Sequence, residues 1–252
     1  MTPDFNIVIP ARMASERLPG KPLVLIAGKT LLEHVYQRAL ESTAKSVVIA
    51  TDDLQIQETA AQFGAQVVMT SSSHNSGSDR IAECVSILGW SDATLLVNLQ
   101  GDEPLMPAAC LKQVAMLLER NSEAHIATLY WPMHTAAEIE NPNHVKVALA
   151  EDGSALLFSR SVIPYPRAWP ELESALAAGE RWFRHVGLYA YRAGALKHYA
   201  SLAPTPLEQS EKLEQLRILE NGGRIVLEQS CEHIPAGVDT PEDLERIRSL
   251  IK

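Results

Sequence analysis

The chain has 252 residues, of which 46% are hydrophobic and 21% are charged, and its formal net charge is −9. This composition is typical of a soluble globular protein and far from that of a disordered chain. The acidic balance argues against nucleic acid as the main partner, because binding to phosphate backbones needs a basic surface. No apolar run approaches the roughly 20 residues that cross a bilayer, and no secretory signal opens the chain. We therefore expect a cytoplasmic protein without a membrane-spanning segment.

Strand-like and helix-like runs alternate through the first half of the chain. In chain order, the predicted strands are 5–9, 46–50, 66–69 and 94–99, and the predicted helices are 31–40, 54–63, 80–88 and 108–120. This alternation predicts an α/β protein with a mostly parallel sheet covered on both faces. Ligands of such sheets bind beyond the carboxyl ends of the strands, so the polar loops at those ends are expected to share one crevice.

The second half is less regular and predicts an inserted antiparallel portion. Strands are predicted at 145–149, 155–158 and 184–192, an extended proline-rich loop at 163–170, and helices at 207–221 and 241–251. Thr240 suits the N-cap of the last helix and Pro241 its first position. No repeat or linker interrupts the chain, which predicts a single domain over 1–252.

The loop after the first predicted strand carries three cations, Arg12, Arg17 and Lys21. A strand, a loop rich in small residues and a helix form a common phosphate-binding arrangement, in which backbone N–H groups and cations face the phosphates. An ordinary surface loop is the alternative. The chain has no G-x-G-x-x-G motif, nucleophile elbow or H-E-x-x-H motif, so it offers no familiar hydride-transfer, acyl-transfer or zinc-protease site.

Two aspartates are candidate magnesium ligands. Asp102 follows the predicted strand 94–99, and Asp239 precedes the last helix. Mg²⁺ commonly takes one or two carboxylates together with phosphate oxygens. Either aspartate could instead cap a turn, and from position alone Asp239 is an even choice between the two roles.

The remaining polar candidates are ambiguous on their own. The segment 76–80 opens a helix and offers hydroxyls and one cation, while Arg160, Arg167 and His185 would suit an acidic, hydroxyl-rich substrate. Taken singly, each is more typical of a surface ion pair or a core histidine. The three cysteines, Cys84, Cys110 and Cys231, show no metal-binding spacing and predict reduced, buried thiols.

Taken together, these segments resemble the CMP-Kdo synthetase family, the 3-deoxy-manno-octulosonate cytidylyltransferases, almost from end to end. The segments that carry the resemblance are Ile9-Pro10-Ala11-Arg12, Leu18-Pro19-Gly20-Lys21-Pro22, Ser76-Gly77-Ser78-Asp79-Arg80, Asn98-Leu99-Gln100-Gly101-Asp102-Glu103-Pro104, Arg184-His185-Val186-Gly187-Leu188-Tyr189, Leu213-Glu214-Gln215-Leu216-Arg217 and Gly237-Val238-Asp239-Thr240-Pro241. The N-terminal loop is shared with wider nucleotidyltransferases, whereas the later segments are more specific to Kdo transfer.

The resemblance implies activation of the acidic sugar Kdo with CTP, giving CMP-Kdo and pyrophosphate for lipopolysaccharide assembly. It also implies a three-layer nucleotidyltransferase (Rossmann-like) fold, Mg²⁺ as cofactor and a homodimer. Within the single domain, roughly 1–120 would bind CTP, 121–235 would bind Kdo and dimerise, and 236–252 would form the C-terminal helix.

The family's roles carry over to matching positions of this chain. Nucleotide binding falls to Ala11, Arg12, Ser15, Lys21, Arg80 and Gln100; Arg12, Lys21, Asp102 and Asp239 are the catalytic candidates. Asp102 and Asp239 would hold magnesium. The Kdo side comprises Gln100, Arg160, Arg167, His185, Tyr189, Glu214 and Gln215.

Three alternatives stay open at this point. The acidic sugar could be 8-amino-Kdo or sialic acid, and a non-catalytic nucleotide-binding regulator could have kept the same fold. A glycosyltransferase would normally carry an Asp-x-Asp motif, of which Gln100-Gly101-Asp102 has only the second acid.

Overall fold

The computed structural model describes residues 4–15, 17–74 and 76–251. Its strands are β1 (Phe5–Ala11), β2 (Leu25–Ile26), β3 (Lys29–Thr30), β4 (Ser46–Thr51), β5 (Gln66–Met69), β6 (Leu95–Asn98), β7 (Ile126–Met133), β8 (Lys146–Leu149), β9 (Ala155–Ser159), β10 (Trp182–Arg192) and β11 (Ile225–Gln229). Its helices are α1 (Leu31–Glu41), α2 (Leu54–Gln62), α3 (Gly77–Ile87), α4 (Ala108–Arg120), α5 (Ala136–Glu140), α6 (Leu172–Ala177), α7 (Ala193–Ser201), α8 (Pro206–Glu211), α9 (Gln215–Glu220) and α10 (Pro241–Leu250).

Over these residues, nine strands form one mixed sheet whose main order is β11-β7-β10-β6-β1-β4-β5. The pairs β6–β1, β1–β4 and β4–β5 are parallel, as are β7 and β11. β10 runs antiparallel to both of its neighbours, β6 and β7, and the β8–β9 hairpin joins beside it. The mostly parallel sheet with an antiparallel portion is therefore confirmed.

Alternating side chains of the central strands supply the two apolar layers. Ile7 and Ile9 of β1 face a core built with α1, α2 and α4, whereas Val8 faces a second core built with α3, α7 and α9. A strand buried on both faces is expected to carry a continuous apolar run, as β1 does over Ile7, Val8 and Ile9. Helices thus cover both sides of the sheet, which is the three-layer arrangement expected.

The prediction of one helix over 207–221 is wrong. The chain forms α8 and α9 instead, and Lys212 between them adopts a left-handed conformation with φ 54° and ψ 48°. That conformation interrupts the helical path and lets the Leu213 amide bond back to the carbonyl oxygen of Glu208. Glu214 consequently lies at the start of α9 rather than in mid-helix.

Two smaller expectations also need comment. Cys84 and Cys110 are buried as predicted, but Cys231 is exposed because it lies beyond the end of β11. In the part of the chain that the structure describes, no helix has the length and apolar character needed to cross a membrane. Residues 1–3, which belong to the segment examined for a secretory signal, lie outside the described residues.

Candidate active site

A cleft of about 750 Å³ opens where the carboxyl ends of β1 and β6 meet the N-terminus of α3. Its lining comes from five separated parts of the chain: Pro10, Ala11, Arg12, Ala14, Ser15, Arg17, Lys21 and Pro22; His74, Ser76, Gly77 and Arg80; Gln100 to Asp102; Glu214; and Asp239. The predicted nucleotide-binding residues Ala11, Arg12, Ser15, Lys21, Arg80 and Gln100 all line it, with both candidate metal ligands. The polar loops at the strand ends therefore do converge on one crevice.

A short turn presents Lys21 to this cleft. Gly20 has a φ of 68°, a left-handed conformation that suits glycine, and a 3-10 turn follows over Lys21–Leu23. The Lys21 amide bonds to the carbonyl oxygen of Leu18 at 3.1 Å, and Pro22 is buried behind it. The backbone of the lysine is thereby fixed, while its four-carbon side chain extends into the cleft.

The ammonium group of Lys21 joins the two aspartates. Its Nζ lies 2.6 Å from Oδ2 of Asp102 and 3.1 Å from Oδ1 of Asp239. The guanidinium of Arg17 approaches the other oxygen of Asp239 at 3.2 Å. Burial lowers the pKa of Lys21, but the two carboxylates more than offset that effect and leave the pKa above its ordinary value.

Two glycines allow the acidic segments to approach their neighbours closely. A Cβ at position 101 would lie 2.9 Å from the carbonyl oxygen of Pro10, and one at position 237 would lie 2.7 Å from that of Asp102. Both contacts are shorter than side-chain packing tolerates, so only glycine fits. The loop after β6 therefore rests against β1, and the segment before α10 rests against Asp102.

Arg80 lies at the base of the cleft and is almost fully buried. Its guanidinium is 3.2 Å from Asp52, which follows β4, and donates to the Thr70 hydroxyl at 2.6 Å. A buried guanidinium needs such partners, because a lone buried charge is strongly destabilising. The ion pair thus ties the loop after β4 to α3.

The N-terminus of α3 also faces the cleft. Ser76 caps the helix by accepting a hydrogen bond from the Asp79 amide at 3.1 Å, and Gly77 begins it. The positive end of the helix dipole and its free N–H groups favour anions at this position. Opposite, Gln100 is oriented by a 3.2 Å hydrogen bond from its Nε2 to Oδ1 of Asn98.

Residues 6–229 match the cytidylyltransferase family model. A 3-deoxy-manno-octulosonate cytidylyltransferase of Francisella philomiragia is 49% identical over 98% of both chains, and one of Haemophilus influenzae is also 49% identical over 98% of both. The chain belongs to the 3-deoxy-manno-octulosonate cytidylyltransferase family.

Solved structures agree with that assignment. A CMP:2-keto-3-deoxy-manno-octonic acid synthetase complexed with CTP superposes with a TM-score of 0.89, at 40% identity over 98% of both chains. A 4-diphosphocytidyl-2C-methyl-D-erythritol synthase superposes with a TM-score of 0.63 at 16% identity, which shows a shared fold alone. The nucleotidyltransferase fold expected for this cytidylyltransferase is confirmed.

Two candidate sugar-side residues of the cytidylyltransferase lie on β10. Nε2 of His185 is 3.1 Å from the Thr128 hydroxyl, and its ring packs edge-on against Phe158 and lies 5.3 Å from that of Tyr189. Burial lowers the pKa of His185 to about 3 and raises that of Tyr189 well above its ordinary value. Both rings are therefore neutral at physiological pH.

Glu214 lines the cleft, and the buried Gln215 follows it as the first residue of α9. Oε2 of Glu214 accepts a 3.2 Å hydrogen bond from the Ser78 hydroxyl on α3, and burial is the main reason that its pKa is raised. Within the described ranges, Nε2 of the buried Gln215 has no hydrogen-bond partner. Such an orphaned donor is costly unless a ligand or water satisfies it.

Of the predicted Kdo-side residues, Gln100 and Glu214 line the cleft, whereas Arg160, Arg167, His185, Tyr189 and Gln215 do not. The Nε of Arg160 donates to the carbonyl oxygen of Glu211 at 2.7 Å and its Nη1 to that of Pro142 at 3.0 Å. Arg167 is exposed in the loop between β9 and α6. Their contact with Kdo stays a prediction, as do the roles inferred for the other site residues.

Sequence reasoning left His74 and Glu103 out of the site. His74 lines the cleft with Nε2 2.5 Å from Oε2 of Glu83, and it lies two residues before the cap of α3. Burial, with Asp102 and Asp239 close by, raises the pKa of Glu103 to about 8. A histidine just before a helix cap is a usable signal, whereas the burial of Glu103 depends on the distant Gly237 segment.

Proposed function

We propose that the chain transfers CMP from CTP to 3-deoxy-D-manno-octulosonate, giving CMP-Kdo and pyrophosphate. The observation that carries the proposal is one cleft, lined by Arg12, in which Lys21 contacts the carboxylates of both Asp102 and Asp239. Relatives at 49% identity bear the name of this activity, and the solved structure at 40% identity was complexed with CTP.

Asp102 and Asp239 fit a divalent cation. Their oxygens converge on one ammonium group, at 2.6 and 3.1 Å, so the pair already accommodates positive charge at a single point. Carboxylates are hard oxygen ligands of the kind that Mg²⁺ prefers together with phosphate oxygens. Magnesium held there would polarise the α-phosphate and lower the pKa of the attacking hydroxyl.

The protein's own residues do the rest by positioning and charge. In the proposed reaction the anomeric hydroxyl of Kdo attacks the α-phosphorus of CTP while pyrophosphate leaves on the opposite side. Arg12, Lys21 and the N-terminus of α3 stabilise the negative charge that collects on the leaving group. No covalent enzyme intermediate is needed, so no cysteine or serine serves as a nucleophile.

On the sugar side, neutral groups supply the recognition. His185, Tyr189 and the unpartnered amide of Gln215 offer hydrogen bonds without charge, which suits the hydroxyls of a sugar. A site built to bond substrate hydroxyls rejects analogues that lack them, because its polar groups are then left unpaired.

A homodimer that acts in the cytoplasm on the lipopolysaccharide pathway completes the proposal. Large apolar side chains in the part assigned to dimerisation are exposed, including Leu156 at 64% and Tyr165 at 78%. Burying such side chains against a second copy would remove apolar surface from water. Light scattering coupled to size exclusion tests the oligomeric state.

The experiment that tests the activity measures pyrophosphate release. The purified chain is incubated with CTP, Mg²⁺ and, in separate reactions, Kdo, 8-amino-Kdo or sialic acid. We expect turnover with Kdo that stops when EDTA removes the metal. Preference for another sugar would overturn the choice of Kdo, and CTP binding without product would favour a regulator.

A further inference from the structure

Lys21 lies where a cation bound by both aspartates would lie. Its Nζ bonds Oδ2 of Asp102 and Oδ1 of Asp239, two residues that are 137 positions apart in the sequence. The lysine side chain is only 15% exposed, so this contact is screened less than a surface ion pair. The ammonium group therefore occupies the carboxylate pair rather than the open part of the cleft.

We propose that Lys21 is an internal counter-cation, which occupies the metal position of the free protein and is released toward the triphosphate when a divalent cation takes its place. The inference rests on the proposed function, since it concerns the same carboxylates. It assigns Lys21 two successive positions, first between the aspartates and then on the nucleotide.

The argument begins with electrostatics. An ammonium group and a divalent cation that share carboxylate oxygens are held close together, and like charges at such a distance in a partly buried site repel each other strongly. Asp102 and Asp239 therefore cannot bind a metal ion tightly while Lys21 keeps both hydrogen bonds.

The local structure allows the exchange without refolding. The backbone of Lys21 is fixed by the 3-10 turn and by the Leu18 carbonyl, whereas its side chain has four rotatable bonds. Arg12 and Ser15 line the same cleft, so a rotated side chain would meet phosphates bound beside them. The lysine moves by changing rotamers alone.

The exchange links the two ligands thermodynamically. When the nucleotide attracts the ammonium group of Lys21, that group leaves the aspartates and the metal can bind them. When the metal binds the aspartates, the ammonium group is displaced and can contact the nucleotide. Each ligand thus raises the affinity for the other by the same factor. Free protein is expected to bind divalent cations weakly, and protein with bound CTP to bind them tightly.

The test measures Mn²⁺ binding directly, by electron paramagnetic resonance of free Mn²⁺ in the absence of nucleotide. Replacing Lys21 by methionine keeps the apolar stem and removes the charge. We expect Lys21→Met to bind Mn²⁺ at least about tenfold more tightly than the natural chain, because repulsion from the ammonium group is gone. Equal or weaker binding by this variant would overturn the inference.

Two further variants serve as controls. Lys21→Arg keeps the positive charge and should keep the weak Mn²⁺ binding of the natural chain. Arg17 forms its ion pair with Asp239, among the residues that the structure describes, from a position 66% exposed, so Arg17→Met should change the affinity by less than about threefold. An effect of Arg17→Met as large as that of Lys21→Met would also overturn the inference, since any nearby charge would then suffice.

A second titration separates this inference from the proposed function. With CTP present, the natural chain should bind Mn²⁺ tightly and Asp102→Asn should not. If the natural chain and Asp102→Asn bind Mn²⁺ equally well in the presence of CTP, Asp102 is not a metal ligand and the proposed function loses its metal site. If the difference is seen but Lys21→Met without CTP gains no affinity, only the counter-cation role fails. Circular dichroism of each variant confirms that the fold is retained.

Discussion

The amide of Val238 donates a 2.8 Å hydrogen bond to the carbonyl oxygen of Asp102. This backbone contact joins the loop after β6 to the segment before α10. The next residue after Val238 is Asp239, which lines the cleft. Val238 is itself fully buried in a small apolar cluster with Ile26, Leu31, Leu244 and Ile247. The spacing between the two carboxylates is therefore set by backbone and core, not by the carboxylates alone.

Gly237→Ala is expected to disturb that spacing. Its Cβ would lie 2.7 Å from the Asp102 carbonyl oxygen and 3.1 Å from the Glu103 carboxyl, so the segment must move away. We predict a fall in turnover of about a hundredfold, since misplacement of reacting groups by about 1 Å has that effect. Overpacking should lower the free energy of unfolding by about 1–3 kcal/mol. Steady-state kinetics and urea unfolding measure the two effects.

Gly187→Ala is the matched control, because a Cβ there meets nothing within 4 Å. It should leave the free energy of unfolding close to that of the natural chain. Normal turnover in Gly237→Ala over a range of Mg²⁺ concentrations would show that the aspartate spacing is not critical.

Asp102→Asn should leave the fold intact and reduce turnover at least about a hundredfold. Asparagine keeps the size of the side chain but removes a charge that stabilises the transition state, a loss of roughly 3–4 kcal/mol. The measurement is pyrophosphate release at saturating Mg²⁺ and CTP. Asp4→Asn, at an exposed position just before β1, should have the turnover of the natural chain. Near-normal turnover of Asp102→Asn would remove this residue from the metal role.

His185 should make the protein less stable in acid. Burial lowers its pKa from about 6.5 to about 3, so the unfolded chain binds a proton below pH 6.5 that the folded chain does not. The stability due to the neutral ring is complete above pH 6.5 and is lost as the pH falls toward 3. At pH 5 this loss amounts to about 2 kcal/mol.

Urea unfolding at pH 7.5 and at pH 5 checks that effect. The difference between the two pH values should be smaller by about 2 kcal/mol in His185→Gln, whose amide does not titrate there. His198→Gln changes an exposed histidine and should behave like the natural chain. If the free energy of unfolding falls by the same amount between pH 7.5 and pH 5 in all three proteins, His185 is protonated in the folded state at pH 5.

Cys110 and Cys231 should form a disulfide under a mild oxidant. Their Sγ atoms are 3.7 Å apart, and a bond at about 2.05 Å needs only a small approach. With diamide, the two thiols lose their hydrogens to the azo nitrogens, which become a hydrazine, and the sulfurs join. Burial raises the pKa of Cys231 to about 11, so the reaction should accelerate as the pH rises.

Peptide mapping without reductant identifies the bond. Cys231→Ser should abolish it, and the buried Cys84 should stay reduced. Absence of a Cys110–Cys231 peptide after prolonged treatment at high pH would contradict the prediction. Cys110 lies eight residues after Asp102, and Cys231 lies eight residues before Asp239, so the oxidised protein is also worth assaying for turnover.

Elements with a strong local pattern could be predicted from the sequence. The helix over 108–120 has the predicted bounds, because Leu111, Val114 and Leu118 repeat at helical spacing on one buried face. The break at Lys212 could not be predicted, since neither glycine nor proline marks it. β7 and β11 were not predicted either, although β7 pairs with β10 and β11 pairs with β7 at the end of the sheet.

For the candidate site too, some features could be predicted from the sequence and others could not. Resemblance and strand-end position together name Lys21, Asp102 and Asp239, but their contacts span 81 and 218 positions and come from the tertiary fold alone. The burial of Arg80 against Asp52 also depends on two different strands meeting one helix. Local sequence indicates which side chains carry chemistry, whereas long-range packing decides which of them meet.

The irregularity in β10 divides that strand into two halves with separate neighbours. From Val186 to Tyr189 the strand advances three residues while its partner β7 advances one, from Leu129 to Thr128. Residues 189–192 pair with β6 beside the nucleotide loops, and 182–186 pair with β7 or β8 alone. The half that carries Tyr189 is therefore fixed between β6 and β7, whereas the half that carries His185 lies between β7 and β8, so a shift of β8 would move His185 without moving Tyr189.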